Sequence, residues 1–140
     1  MCGFAGILGI GATGSLPPDS ERLRKMADTI VHRGPDAAAE YVDGGLGFAH
    51  RRLSIIDLET GNQPMVSPDG NVAIVFNGEI FYYIELRQAL LKLGVQFRTT
   101  SDTEVVLQLY REYGIEFVSR LNGQFAIAIW DRRQQTLHLV

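Results

Sequence analysis

The pairing of the apolar runs constrains this chain most. Residues 39–42 and 46–50 flank Asp43-Gly44-Gly45, a turn sequence suited to an antiparallel hairpin. Residues 72–76 form a β-branched run. A fully apolar run at 125–130 leads through a loop at 131–135 into a last strand at 136–140. Two helices fall between these strands. Tyr83, Leu86, Leu90 and Leu93 share one face before Gly94, which suits a C′ stop. Ser101-Asp102-Thr103-Glu104 matches the S-x-x-E capping box, and Val106, Leu109, Tyr110 and Tyr113 follow on one face before Gly114. Nearer the start, residues 2–10 read as a strand buried on both faces, and 11–18 as a loop. Asp19 or Ser20 can cap a helix carrying Leu23, Met26, Ala27, Ile30 and Val31, which Gly34-Pro35 ends. Residues 52–58 read as strand or extended loop, and 59–70 as loop. Hairpins with helices grouped between them predict α+β layers with antiparallel sheets, not βαβ winding.

The size suits one domain, because 140 residues at 46% hydrophobic content can bury a real core. The final strand ends without cap, turn or polar tail. The chain is therefore expected to be the front piece of a longer one, and to self-associate through its open sheet edge. Net charge is −3, and the 13 basic residues form no long run, which excludes a nucleic-acid footprint. No apolar run reaches the ~18 residues of a membrane span, and no basic segment precedes the first apolar stretch as in a signal peptide. A single cysteine excludes a disulfide framework and a Cys-rich zinc site, which fits a reducing, cytoplasmic setting.

That cysteine is Cys2, directly after the initiator Met1. Removal of Met1 puts a thiol and a free α-amine on one residue. A free thiol titrates near ~8.5 and an α-amine near ~7.7–8.0, so close to neutral pH the amine can take the thiol proton as attack begins. The plain alternative is a small buried hydrophobe at the start of a strand. A thiol attacking a carbonyl needs an oxyanion hole. Asn77-Gly78, after a buried strand, supplies an amide donor and a backbone N–H open to close approach; taken alone, Asn-Gly reads as a turn. Arg52 can grip a carboxylate with two parallel donors, as can Arg51 beside it, one of the two being solvated surface. Asp102 sits in the first turn of a helix, where the dipole alone accounts for an acid. His32, His50 and His138 show no metal-ligand spacing. His32 or His50 could pair with Cys2, although His32 reads better as a structural hydrogen-bonder beside Gly34-Pro35. No P-loop sequence is present.

Seven stretches in series carry a resemblance: Met1-Cys2-Gly3-Phe4-Ala5-Gly6-Ile7, His32-Arg33-Gly34-Pro35-Asp36, Arg52-Leu53-Ser54-Ile55-Ile56-Asp57, Gln63-Pro64-Met65, Asn77-Gly78-Glu79-Ile80, Ser101-Asp102-Thr103-Glu104 and Phe125-Ala126-Ile127-Ala128-Ile129-Trp130-Asp131. Together they resemble the glutaminase domain of glutamine-dependent asparagine synthetases, a class II, N-terminal-nucleophile glutamine amidotransferase. The resemblance implies a four-layer αββα sandwich with Cys2 as nucleophile and Asn77 and Gly78 as oxyanion hole. Arg52 would hold the α-carboxylate of L-glutamine, with backbone groups of Leu53, Ile55 and Ile56 along that wall. Glu79 and Asp102 would face the α-amino end. It implies no cofactor for these residues, and ATP, Mg2+ and aspartate for a synthetase domain beyond them. It leaves open a homodimer, a different carboxylate acceptor, and a non-catalytic glutamine-binding role. Tyr82 stands where such domains commonly have Asn, which puts hydrogen bonding behind the site in question, and Gln124 replaces a usual Met.

Overall fold

The computed structural model describes residues 2–9, 17–54 and 60–140. Expectations for Ile55, Ile56 and most of the first loop fall outside those residues. Seven strands and three helices are seen among them, in the order β1 (Gly3–Leu8), α1 (Ser20–Asp28), β2 (Ala37–Asp43), β3 (Leu46–Arg52), β4 (Met65–Val66), β5 (Val72–Ile80), α2 (Tyr83–Lys92), α3 (Asp102–Tyr113), β6 (Gly123–Asp131) and β7 (Thr136–Leu139). Short 3₁₀ turns follow α1 and α3, at Val31–Arg33 and Gly114–Arg120.

All strand pairs are antiparallel and form two sheets, ordered β1-β3-β2 and β4-β5-β6-β7. The two-residue period of the strands assigns the faces. In β5, Val72, Ile74 and Phe76 pack on α2 and α3 with Ile127, Ile129, Leu90, Val106 and Leu109. The intervening Ala73 and Val75 meet Leu46 and Phe48 of β3, with Ala128 and Trp130. On the far side of β3, Ala49 meets Leu23 and Ala27 of α1. The layers therefore run α1, first sheet, second sheet, α2 with α3: an αββα sandwich, as expected. Burying each large apolar side chain stabilises by about 1.5–3 kcal/mol, so the crowded face between the second sheet and its helices dominates the core.

Local details depart from the sequence expectations where tertiary pairing outweighs propensity. β1 is an edge strand with Gly6 and Leu8 exposed, not a strand buried on both faces. Val31 lies beyond α1 in the 3₁₀ turn and is exposed, and His32 beside it is exposed as well. The capping box at Ser101 is half formed. Ser101 accepts from the Thr103 N–H, but the Glu104 carboxylate turns to the Arg98 and Thr99 N–H groups and the Thr99 hydroxyl. A fully buried carboxylate takes the site offering most donors, and the preceding loop offers three.

Tyr82 begins α2 with φ of 59°, in the left-handed region, and its side chain is 67% exposed. A bulky L-residue there costs roughly 1–2 kcal/mol, and asparagine tolerates the same geometry far better. Tyr82→Asn should therefore raise the melting temperature by about 2–4 °C. A thermal melt showing no rise would remove this account. Tyr82 does not line the cleft at Cys2.

Candidate active site

Strand parity and antiparallel pairing bring the chemistry-bearing residues to one end of the sandwich, between the sheets. On β3, Leu46 and Phe48 face the second sheet, so His50 and Arg52 do too. Arg51 points the other way, to Asp28 and the Ala27 carbonyl of α1. Parity thus separates two adjacent arginines that composition could not. Phe4 packs in the same intersheet cluster, which places Cys2, two residues earlier, on the same face. Gly3 pairs with Arg51, so the start of β1 lies beside the end of β3. On β5 the parity of Ala73 and Val75 carries Asn77 inward.

The resulting cleft is lined by Cys2, Arg52, Leu53, Gly61, Gln63, Phe76, Asn77, Gly78, Glu79 and Asp102. At about 60 Å3 it is small beside a groove of about 580 Å3 at the other end of α3. The smaller space holds the chemistry, because it alone combines a thiol with an arginine, a carboxamide and two acids. Neither His32 nor His50 lines it, so neither is placed as a base for Cys2.

The Cys2 sulfur sits against the Leu53 backbone, 3.3 Å from its nitrogen and 3.5 Å from its carbonyl oxygen. Leu53 therefore touches the thiol itself, a closer role than a wall of the carboxylate pocket. The Cys2 carbonyl accepts a 3.0 Å hydrogen bond from Arg33 Nε. The Gly34-Pro35-Asp36 segment then braces the exit of β3. The Asp36 N–H donates to the Arg52 carbonyl at 3.0 Å, and its carboxylate accepts from the Ser54 N–H at 2.8 Å. Gly34 is required there, since a Cβ would lie 2.3 Å from the Arg51 carbonyl oxygen. Local signals mark this segment as the end of a helix, and the resemblance includes it without assigning it a role. Its partners lie about twenty residues along the chain, and nothing local announces them.

Asn77-Gly78 is not a turn: both residues lie within β5, paired with Ala126 and Phe125. Gly78 has φ of 155°, and a Cβ on it would lie 2.1 Å from the Gln124 carbonyl oxygen. Only glycine permits that strand crossing. The buried Asn77 Oδ1 has no hydrogen-bond partner among the described residues.

Asp102 is 5% exposed at the start of α3. Burial pushes its carboxyl pKa up, and the nearby charge of Glu79 adds to this, against hydrogen bonds from the Thr103 and Ile80 backbone. Two acids and Arg52, whose Nη1 is bonded to Asn62 Oδ1 at 2.9 Å, line the same cleft and suit a guest carrying an ammonium and a carboxylate. His50 is buried and its pKa falls to about 4 through burial, opposed by a hydrogen bond to the Phe76 backbone and assisted by the Arg52 charge. It is neutral at pH 7. Among the described residues no three His, Cys, Asp or Glu side chains gather to hold a metal ion, and no helix is long and apolar enough to cross a membrane.

A cysteine at the chain start, lodged where two stacked antiparallel sheets open, defines the N-terminal-nucleophile class of α+β folds. The chain belongs to the glutamine amidotransferase domain family, whose sequence model matches residues 1–140. It is 46% identical over its whole length to asparagine synthetase [glutamine-hydrolyzing] 2 of Bacillus subtilis (strain 168), and covers 18% of that protein. To asparagine synthetase [glutamine-hydrolyzing] 1 of the same organism it is 45% identical over 99% of the chain and 22% of the relative. The chain thus spans about a fifth of the length of these curated relatives. Among solved structures it is similar to the glutamine phosphoribosylpyrophosphate amidotransferase from B. subtilis complexed with ADP and GMP. The TM-score is 0.54 and the identity 28%, over 65% of this chain and 22% of that one.

Proposed function

We propose that the chain is the glutamine-hydrolysing front end of an asparagine synthetase. The observation that carries this reading is the meeting of Cys2, Arg52, Asn77, Gly78, Glu79 and Asp102 around one cleft. Arg52 takes the α-carboxylate of L-glutamine, while Asp102 and Glu79 take the α-ammonium, whose charge relieves the crowding of two acids. Once Met1 is removed, the Cys2 α-amine accepts the thiol proton as sulfur attacks the side-chain carboxamide carbon. The Asn77 amide and the Gly78 N–H stabilise the oxyanion. The proton passes to the departing nitrogen, ammonia leaves, and a thioester remains. Water then attacks the thioester carbon, giving glutamate and returning the thiol proton.

In the whole protein, ammonia then amidates aspartate at a second domain using ATP and Mg2+. A cytoplasmic location and homodimeric assembly belong to the same proposal. Glutaminase activity tests the core of it: the purified, Met1-processed protein should release glutamate and ammonia from glutamine in equal amounts. Absence of glutamate release, with intact mass showing Met1 gone, rejects the reading in favour of a non-catalytic glutamine-binding domain.

Arg52→Ala should raise KM for glutamine about 10–100-fold with a much smaller change in kcat, because a charge-assisted carboxylate contact is worth about 1.5–3 kcal/mol in substrate and transition state alike. Steady-state kinetics check this, and an unchanged KM removes Arg52 from the carboxylate role.

A further inference from the structure

Gln63 lies in the cleft wall, 6% exposed, and the mechanism above makes no use of it. Its placement follows from where β4 stops. Met65 and Val66 pair with Ile74 and Ala73, and the same register carried back along the chain sets Gln63 opposite Phe76, where β4 has already ended. The Gln63 side chain replaces the missing ladder bond. Its Oε1 accepts from the Phe76 N–H at 2.6 Å, and its Nε2 donates to Thr103 Oγ1 at 3.2 Å. Phe76 immediately precedes Asn77, and Thr103 immediately follows Asp102. One buried carboxamide therefore bridges two elements that both line the cleft.

We infer that Gln63 is a positioning residue for glutamine hydrolysis, tying the strand segment that carries Asn77 and Gly78 to the helix start that carries Asp102. This rests on the reading of the cleft as a glutamine site. The oxygen fixes the height of the oxyanion donors, whose alignment matters only as charge develops on the substrate oxygen. The nitrogen fixes the helix start and hence the ammonium-binding acid, which matters already in the bound substrate. The two ends of one side chain thus separate into a kcat effect and a KM effect.

The test measures glutamine hydrolysis and thermal melting for the full protein and three variants. Gln63→Met, which keeps length and loses both bonds, should lower kcat about 10–100-fold and raise KM. Gln63→Glu keeps the acceptor for Phe76 and should recover most of kcat, while its second oxygen can accept from the Thr103 hydroxyl. Thr103→Val removes only the second bond and should raise KM with kcat within about three-fold of the parent. A folded Gln63→Met protein with both constants within about two-fold of the parent overturns the inference, as does a Gln63→Glu protein no faster than Gln63→Met. Should Gln63→Met fail to fold, an unchanged KM in Thr103→Val overturns it alone. A parent that hydrolyses glutamine, and loses this with Cys2→Ala, keeps the functional reading intact whichever way the Gln63 variants fall. A Met1-processed parent with no hydrolysis removes both.

Discussion

Cys2→Ala is expected to reduce glutamine hydrolysis by about 10⁴-fold or more while the protein stays folded. The size of the loss follows from chemistry. Without sulfur there is no thioester, and no other described group is placed to take its role, since neither His32 nor His50 reaches the cleft. Survival of the fold follows from what the sulfur touches. Its contacts to the Leu53 backbone are sulfur hydrogen bonds of 3.3 and 3.5 Å, which are weak, and Cys2 precedes an edge strand, outside the packed clusters. The Arg33 bond to the Cys2 carbonyl is indifferent to the side chain. A glutamine-like electrophile supplies an independent readout. Mass mapping should find its adduct on the N-terminal peptide of the parent and nowhere on the Ala variant. Undiminished hydrolysis by Cys2→Ala, or an adduct confined to another peptide of the matured protein, rejects Cys2 as nucleophile.

Much of the scaffold is legible locally because its signals are local. Asp43-Gly44-Gly45 announces the β2–β3 hairpin, Gly94 follows α2 with φ of 88°, and Ser101 caps α3 as read. What escapes reading depends on a partner distant in sequence. Asn-Gly favours a turn in isolation, yet β6, some fifty residues on, holds it in a strand. The capping-box glutamate finds better donors in the loop before its own helix. Arg51 and Arg52 are equivalent as letters and become distinct only through the face of β3 on which each falls. The bracing of β3 by Asp36 and the bridging by Gln63 use ordinary side chains at positions fixed by pairing register, so composition and motif spacing give no sign of them. The resemblance named Cys2, Arg52, Leu53, Asn77, Gly78, Glu79 and Asp102; the fold supplies the reason they meet around one cleft.

Asn77→Ala should cost about 10²–10³-fold in kcat with KM for glutamine changed far less, the magnitude associated with loss of one oxyanion-hole donor. The split is expected because, on the proposed reading, Arg52 and Asp102 with Glu79 hold the charged groups on the α-carbon while Asn77 faces the side-chain carboxamide, and all of them line one cleft. The Asn77 side chain reaches inward from β5 by the same parity that seats Val75 in the intersheet core, and its Oδ1 makes no hydrogen bond among the described residues. The backbone N–H of Gly78 remains in the variant, which is why the loss stops short of that from removing the thiol. Because β5 keeps its pairing to Ala126 and Phe125 through main-chain groups alone, the melting temperature should fall only slightly. Steady-state kinetics decide the matter: a raised KM with kcat preserved makes Asn77 a substrate-binding residue and leaves the oxyanion without its side-chain donor.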